Sequence, residues 1–328
     1  MAQFWRSLID VREEYPVENN SNHGFLFLPP GVWLLGRVKL GSALLIRRCY
    51  KDLFQLFFPN VAQAPPGERG EPSHDLTDIG DSGAQTPSRF RDEPSYVVTG
   101  NPGIGKTMFI AYVLWRARHA GITVVYEPAS PELYTIRYLL RPDGTCRSGS
   151  VRAGLFEDEL STPGTWYITD AHAPQTVDVS TILVTSPRKR VYHELLKVPN
   201  TSKWFMPVWS WEEIEVCCRY CFDEPKMLLS RAAELFIIFG GIPRIILDKA
   251  MTTTNELLIN DLHMAVGNCS LEYCRHSIGE ITAEDEFPYP LLLRVGFVVI
   301  FPRSMTYKRA DNRHTLQKRS CDESWKKI

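Results

Sequence analysis

Residues 97–114 read VVTGNPGIGKTMFIAYVL: a β-branched apolar run, then a glycine-rich turn, then an amphipathic helical pattern. Gly100-Asn101-Pro102-Gly103-Ile104-Gly105-Lys106-Thr107 matches G-x-x-x-x-G-K-[ST] at every position. Glycines at 100, 103 and 105 permit backbone angles that turn successive N–H groups onto one anion. A helix opening near Gly105 adds its dipole and its unpaired N–H groups. In such a loop Lys106 reaches the β- and γ-phosphates and the Thr107 hydroxyl ligates Mg²⁺. The turn sits between a strand and a helix, as that mechanism requires. The expected ligand shell is therefore residues 100–108, with Ile104 and Met108 included.

Outward from this loop the chain alternates. SYVVT precedes it as a strand, and KTMFIAYVLWRARHA follows as a helix closing at Gly121. ITVVYE, TWYITD, TILVTS and KWFMPVW read as further strands, and LYTIRYLLRPDGTCRS reads as a hairpin turning at Pro142-Asp143-Gly144. Beyond Ser210 come helical patterns: WEEIEVCCRYCF, PKMLLSRAAELFIIF and PRIILDKA. The expected fold is α/β, a three-layer P-loop NTPase core of signal-transducing or AAA+-like kind with a helical lid subdomain. The expected divisions are an N-terminal β/α segment at 1–61, a Pro/Gly/Ser-rich linker at 62–94, the core at 95–209, the helical part at 210–300 and a basic tail at 301–328.

The loop needs an acidic partner at a neighbouring strand end. TWYITD supplies Asp170, which would hold the metal with Thr107. Ala171 and His172 follow where many ATPases carry a second carboxylate, so Glu127, ending ITVVYE, is the candidate for positioning the attacking water. An exposed strand-end acid is the competing reading of Glu127. TILVTS delivers Ser186 as a candidate γ-phosphate sensor, and Arg188 of the PRKR segment stands beside it. Gly240-Gly241 and Pro243 mark a helix stop and restart. That corner could close over the base with Pro243 and turn Arg244 toward the phosphates. No guanine-reading [NT]KxD tetrapeptide is found, and a proline within the loop is more typical of ATPases, so ATP with Mg²⁺ is the expected ligand.

The bulk numbers bound the class, and local charged patches stay open. A net charge of −1 over 328 residues gives no global basic field for nucleic acid or an acidic membrane. No stretch reaches the roughly 18 apolar residues of a membrane span, and MAQFWRSLIDVREEYP lacks the layout of a secretory signal. The eight cysteines form no paired CxxC set; Cys217, Cys218 and Cys221 read as small buried residues on a helix in a reducing compartment.

GNPGIGKTMFIAYVLWR, VVYE, WYITDAHAP, ILVTSPRK, FMPVWSWEEIE and FGGIPRIIL, in this order, resemble the ATPase module shared by Crinkler-type effectors of oomycetes and fungi and the retrotransposon hot spot proteins of trypanosomes. LLIRRCYKDLFQLFF resembles the segment preceding the loop in those proteins. The resemblance implies a nucleotide switch, often upstream of a restriction-like nuclease or kinase domain acting in a nucleus, with nucleic acid as target by analogy. It leaves the protein partner open, self-association included. Only 84 residues follow Arg244 in the 328-residue chain, without a strand-borne D…ExK set, so a truncated copy or a gene model ending outside the true frame is an expectation. No LxLFLAK-type translocation motif is present, which weighs against export. A non-hydrolysing ATP-binding interaction protein is the alternative reading.

Overall fold

The computed structural model describes residues 1–16, 23–62, 93–129, 136–222 and 225–267. Most of the expected linker at 62–94, the tail at 301–328, and Cys269, Cys274 and Cys321 lie outside the described residues.

The chain opens with helix α1 (Ala2–Ser7) and a three-stranded antiparallel sheet of β1 (Glu13–Glu14), β2 (Gly24–Phe27) and β3 (Ala43–Ile46). Helix α2 (Arg48–Phe57) and the short α3 (Pro59–Ala62) follow. Strand β4 (Ser95–Thr99) leads through the glycine loop into α4 (Lys106–His119). Then come β5 (Val124–Glu127), the hairpin β6 (Ile136–Leu140) and β7 (Cys146–Ser150), β8 (Trp166–Asp170), β9 (Ser180–Val184), the four-residue α5 (Lys189–Tyr192) and β10 (Thr201–Phe205).

These strands form one mixed seven-stranded sheet in the order β10-β4-β9-β8-β5-β6-β7. The first five are parallel, and β6 and β7 are antiparallel at one edge. Every residue of β4, β5, β8 and β9 is buried, the near-continuous pattern of strands covered on both faces. The chain leaves β4 toward β5 on one side and leaves β9 toward β10 on the other. The carboxyl ends of β4 and β9 thus flank the switch point, where open parallel sheets hold their ligands.

Helix α4 carries buried residues all round, because it is sandwiched between sheet and N-terminal segment. Tyr50 of α2 packs on Phe109 and Tyr112 at ring distances of 5.6 and 6.2 Å. Phe57 stacks on Tyr96 at 4.0 Å and Phe58 on Trp166 at 3.6 Å, so α2 also covers the sheet. The Trp115 indole donates to the Val11 carbonyl at 3.0 Å. The N-terminal segment and the α4 face of the sheet therefore share one hydrophobic core.

Among the described residues the opposite face is covered by α5 and by single 3-10 turns, over two small apolar clusters around Tyr167 and Tyr192. After β10 come α6 (Trp211–Cys221), α7 (Pro225–Phe239) and α8 (Asn255–Gly267). Ser210 and Glu213 close a capping box at the start of α6, each side chain meeting the other's backbone N–H. Gly240 ends α7 in a left-handed conformation, φ +63. The expected helix beginning at Pro243 is a π-type turn over Arg244–Asp248 and then a 3-10 turn. Among the described residues no helix is long and apolar enough to cross a membrane.

Candidate functional site

Gly100, Gly103 and Gly105 have φ of +145, +84 and +92, angles that side chains rarely adopt. Space forbids a side chain as well: a Cβ at these positions would lie 2.7 Å from the Met206 carbonyl, the Arg244 Cβ and the Tyr50 hydroxyl respectively. The loop carbonyls are held from outside. Lys106 Nζ donates to Gly100 and Asn101 at 2.8 and 2.7 Å. The Arg244 N–H donates to Gly103 at 3.2 Å, the Trp209 indole to Ile104 at 2.7 Å and the Tyr50 hydroxyl to Gly105 at 2.8 Å. In a trans peptide the N–H points opposite to the C=O, so anchoring the Ile104 and Gly105 carbonyls turns the next two N–H groups away from Trp209 and Tyr50. Asn101 is 3% exposed and its Nδ2 has no hydrogen-bond partner among the described residues. An unpaired buried donor is costly unless a ligand completes it.

Asp170, at the end of β8, reaches across β9 to the start of α4. Its Oδ2 accepts the Thr107 hydroxyl at 3.0 Å. Burial pushes the Asp170 carboxyl up; the Thr107 hydrogen bond and the charges of Arg37, His172 and Lys106 oppose this without cancelling it. Two hard oxygens thus meet at the mouth of the loop, a donor set suited to Mg²⁺. Among the described residues there is no cluster of three or more His, Cys, Asp or Glu side chains placed to hold a metal. Cys49, Cys217 and Cys218 are free and buried, and Cys221 is free and half-buried.

Glu127 lies behind this pair. It neighbours Thr169 in register, and its side chain shares the opposite sheet face with Tyr167. Glu127 is 2% exposed, so the competing reading of an exposed strand-end acid does not hold. Its Oε1 accepts Arg137 Nε and the Tyr167 hydroxyl, both at 2.8 Å, and its Oε2 faces His172 Nε2 at 2.8 Å. Burial alone would raise its pKa; the hydrogen bonds from His172, Arg137 and Tyr167 outweigh burial and hold it below the ordinary carboxylate value. His172 Nδ1 lies 2.9 Å from the Asp170 carbonyl, so both ring nitrogens face acceptors. Burial lowers the imidazole pKa, and the bonds to Glu127 and Asp170 reverse the shift. That geometry favours the doubly protonated ring. The turn leading there passes Ala171 at φ +65, a strained angle for alanine.

Ser186, half-buried, and Arg188, exposed, follow β9 between the carboxyl ends of β4 and β8. Arg244 touches the loop through its backbone and Cβ, beside half-buried Pro243, and its side chain is exposed.

The sequence reading missed Arg47, Tyr50, Trp209, Glu213 and Arg137. The Ser210-x-x-Glu213 spacing signals a capping box, but nothing in the sequence pairs Glu213 with Arg47, 166 positions earlier.

No family model matches the chain. It is 29% identical over 186 residues to Crinkler effector protein 15 of Phytophthora infestans, and equally so to Crinkler effector protein 16 of that organism. The likeness is to Crinkler effectors. It is distant, covering 54% of this chain and 28% of each relative. The chain thus matches just over a quarter of the length of these curated relatives.

Proposed function

We propose that the chain is an ATP-binding P-loop NTPase of Crinkler type, acting as a slow nucleotide-dependent switch. The observation that carries this reading is the 3.0 Å contact between Thr107 and Asp170 at the mouth of a fully formed glycine loop. Loop N–H groups and Asn101 Nδ2 would meet phosphate oxygens. Lys106 would exchange its bonds with the loop carbonyls for the β- and γ-phosphates, and Thr107 and Asp170 would hold Mg²⁺. The sheet order supports the reading, since it puts the end of β9, with Ser186 and Arg188, between loop and acid. The helices after β10 would act as a lid, because Arg244 touches Gly103 directly.

Glu127 supports slow rather than fast turnover. A carboxylate has about four acceptor positions, and Arg137, Tyr167 and His172 occupy three of those on Glu127. Buried on the sheet face away from Thr107 and Asp170 and held at lowered basicity, this carboxylate is a weak base for activating water. The same observation favours the second reading, an ATP-binding interaction protein that does not hydrolyse. A protein partner, self-association and an action on nucleic acid remain proposals by likeness to effectors.

Titration calorimetry of the whole chain with Mg·ATP tests the binding claim: heat in the wild type and none in Lys106→Ala. Absence of heat with folded wild-type protein would sink it. Single-turnover hydrolysis above the Lys106→Ala background then separates switch from passive binder.

A further inference from the structure

Arg47 leaves β3 into the centre of the molecule and is 1% exposed. Its guanidinium serves three separate segments. Nε and Nη2 bind the two oxygens of Glu213 at 2.9 Å each, a bidentate pair at the start of α6. Nη1 and Nη2 donate to the Pro207 and Val208 carbonyls at 3.1 and 3.0 Å, where β10 runs toward α6. Nη1 also approaches the Ile104 carbonyl at 3.5 Å, the atom that the Trp209 indole grips at 2.7 Å. The cation lies over the Trp209 ring at 5.1 Å.

We propose that Arg47 is a positioning residue of the phosphate loop. It holds Trp209 and the Ile104 carbonyl outward, so that the following N–H groups face the anion, and it ties that geometry to the helices after β10. The proposal rests on the nucleotide-binding reading above. Arginine suits the task because its planar fork serves a carboxylate and backbone carbonyls together, which a lysine ammonium does not. Burial of the pair is not an argument for its retention on stability alone. Well-packed apolar residues commonly replace a buried ion pair with no loss of stability. What an apolar pair cannot supply is the donor set aimed at residues 104, 207 and 208. Trp209 carries the arrangement onward, because its backbone N–H donates to the Gly241 carbonyl at 2.9 Å. Beyond Gly241 lies Arg244, on the Gly103 carbonyl. A nucleotide entering the loop therefore meets a frame that the N-terminal segment, the loop and the last helices hold in common.

The test compares wild type, Arg47→Lys and the double variant Arg47→Met/Glu213→Met, each as the full chain, by thermal unfolding and by calorimetric Kd for Mg·ATP. The expected result is a double variant that still folds, with a midpoint lowered by the lost α6 cap and the unpaired Pro207 and Val208 carbonyls, and a Kd weakened roughly ten-fold or more, the loss of one charge-assisted hydrogen bond. Arg47→Lys should fall between the two. Trp209 emission, isolated by difference against Trp209→Phe, should respond to Mg·ATP in the wild type and lose that response in the double variant. If the double variant does not fold, Arg47→Lys decides by the same readouts. A Kd within two-fold of wild type in a folded variant overturns the proposal and leaves nucleotide binding standing. A wild type that binds no Mg·ATP overturns both.

Discussion

Gly241 and Trp209 are locked together. The Trp209 N–H donates to the Gly241 carbonyl at 2.9 Å, and a Cβ at position 241 would lie 1.8 Å from the Trp209 carbonyl oxygen. The constraint at 241 is space. Since Trp209 also holds Ile104, the Gly-Gly corner and the glycine loop are two ends of one contact chain. Gly241→Ala is expected to destabilise the fold by about 1–3 kcal/mol through overpacking. It should weaken Mg·ATP binding as well. Urea denaturation and calorimetry measure the two effects, and a variant indistinguishable from wild type in both would contradict the geometry.

Lys106 bonds the Gly100 and Asn101 carbonyls in the ligand-free chain and would pass to phosphate oxygens when nucleotide enters. Mg·ATP at 100 times its Kd is expected to stabilise the wild type by about 2.7 kcal/mol. That gain should vanish in Lys106→Ala, read against the variant's own ligand-free midpoint, which the two lost loop bonds lower. Thermal shift with and without nucleotide reads it directly. Thr107→Val and Asp170→Asn, in turn, should each abolish the Mg²⁺ dependence of binding; a retained dependence in both would separate this pair from the metal.

Arg137 is fully buried against Glu127 and makes further hydrogen bonds to the Leu155 carbonyl, at 2.9 Å, and to Gln175. Arg137→Met leaves a buried carboxylate with reduced compensation, and a loss of about 3–5 kcal/mol is expected. The pH dependence has a definite sign. Glu127 titrates below its ordinary value of 4.5 in the folded protein, so its contribution is fully present above 4.5 and disappears as pH falls through the folded value. Denaturation across that acid range should show the loss in wild type and a reduced loss in Arg137→Met.

His119, at the end of α4, packs edge-on to Trp115 at 5.4 Å and faces the Val11 carbonyl at 3.2 Å. Burial depresses its pKa below the ordinary 6.5; the Val11 bond opposes this, and the nearby charges of Arg12 and Arg118 add to it. The unfolded chain takes up the proton first as pH falls. His119 therefore contributes stability above pH 6.5 that is lost as pH falls toward the folded pKa. A His119→Gln variant should lose less stability than wild type over that window. An identical slope would place the imidazole in water.

Much of the sheet is legible because the patterns are local. The β-branched run before the loop, the apolar run ending in Asp170 and the Pro-Asp-Gly turn between β6 and β7 each carry their own signal within a few residues. Side-chain partnership has no such signal. Glu127 can be named as a strand-end carboxylate, yet Arg137 on β6 at one side of its strand, Tyr167 on β8 at the other and His172 after a left-handed alanine decide how basic it is. Likewise PRIILDKA has a helical pattern, while packing of the Gly241 corner against Trp209 accompanies a π-type turn there.

The amino-acid sequence by itself determined the glycine loop at which a phosphate is proposed to lie, since the glycines, the order of lysine and threonine, and a strand-to-helix step all sit within a few consecutive positions. Only tertiary structure decided what holds that loop in shape. Arg47, Tyr50, Trp209 and Arg244 come from segments far apart in the chain, and hydrogen bonds between distant residues depend on packing, which leaves no period or spacing to read.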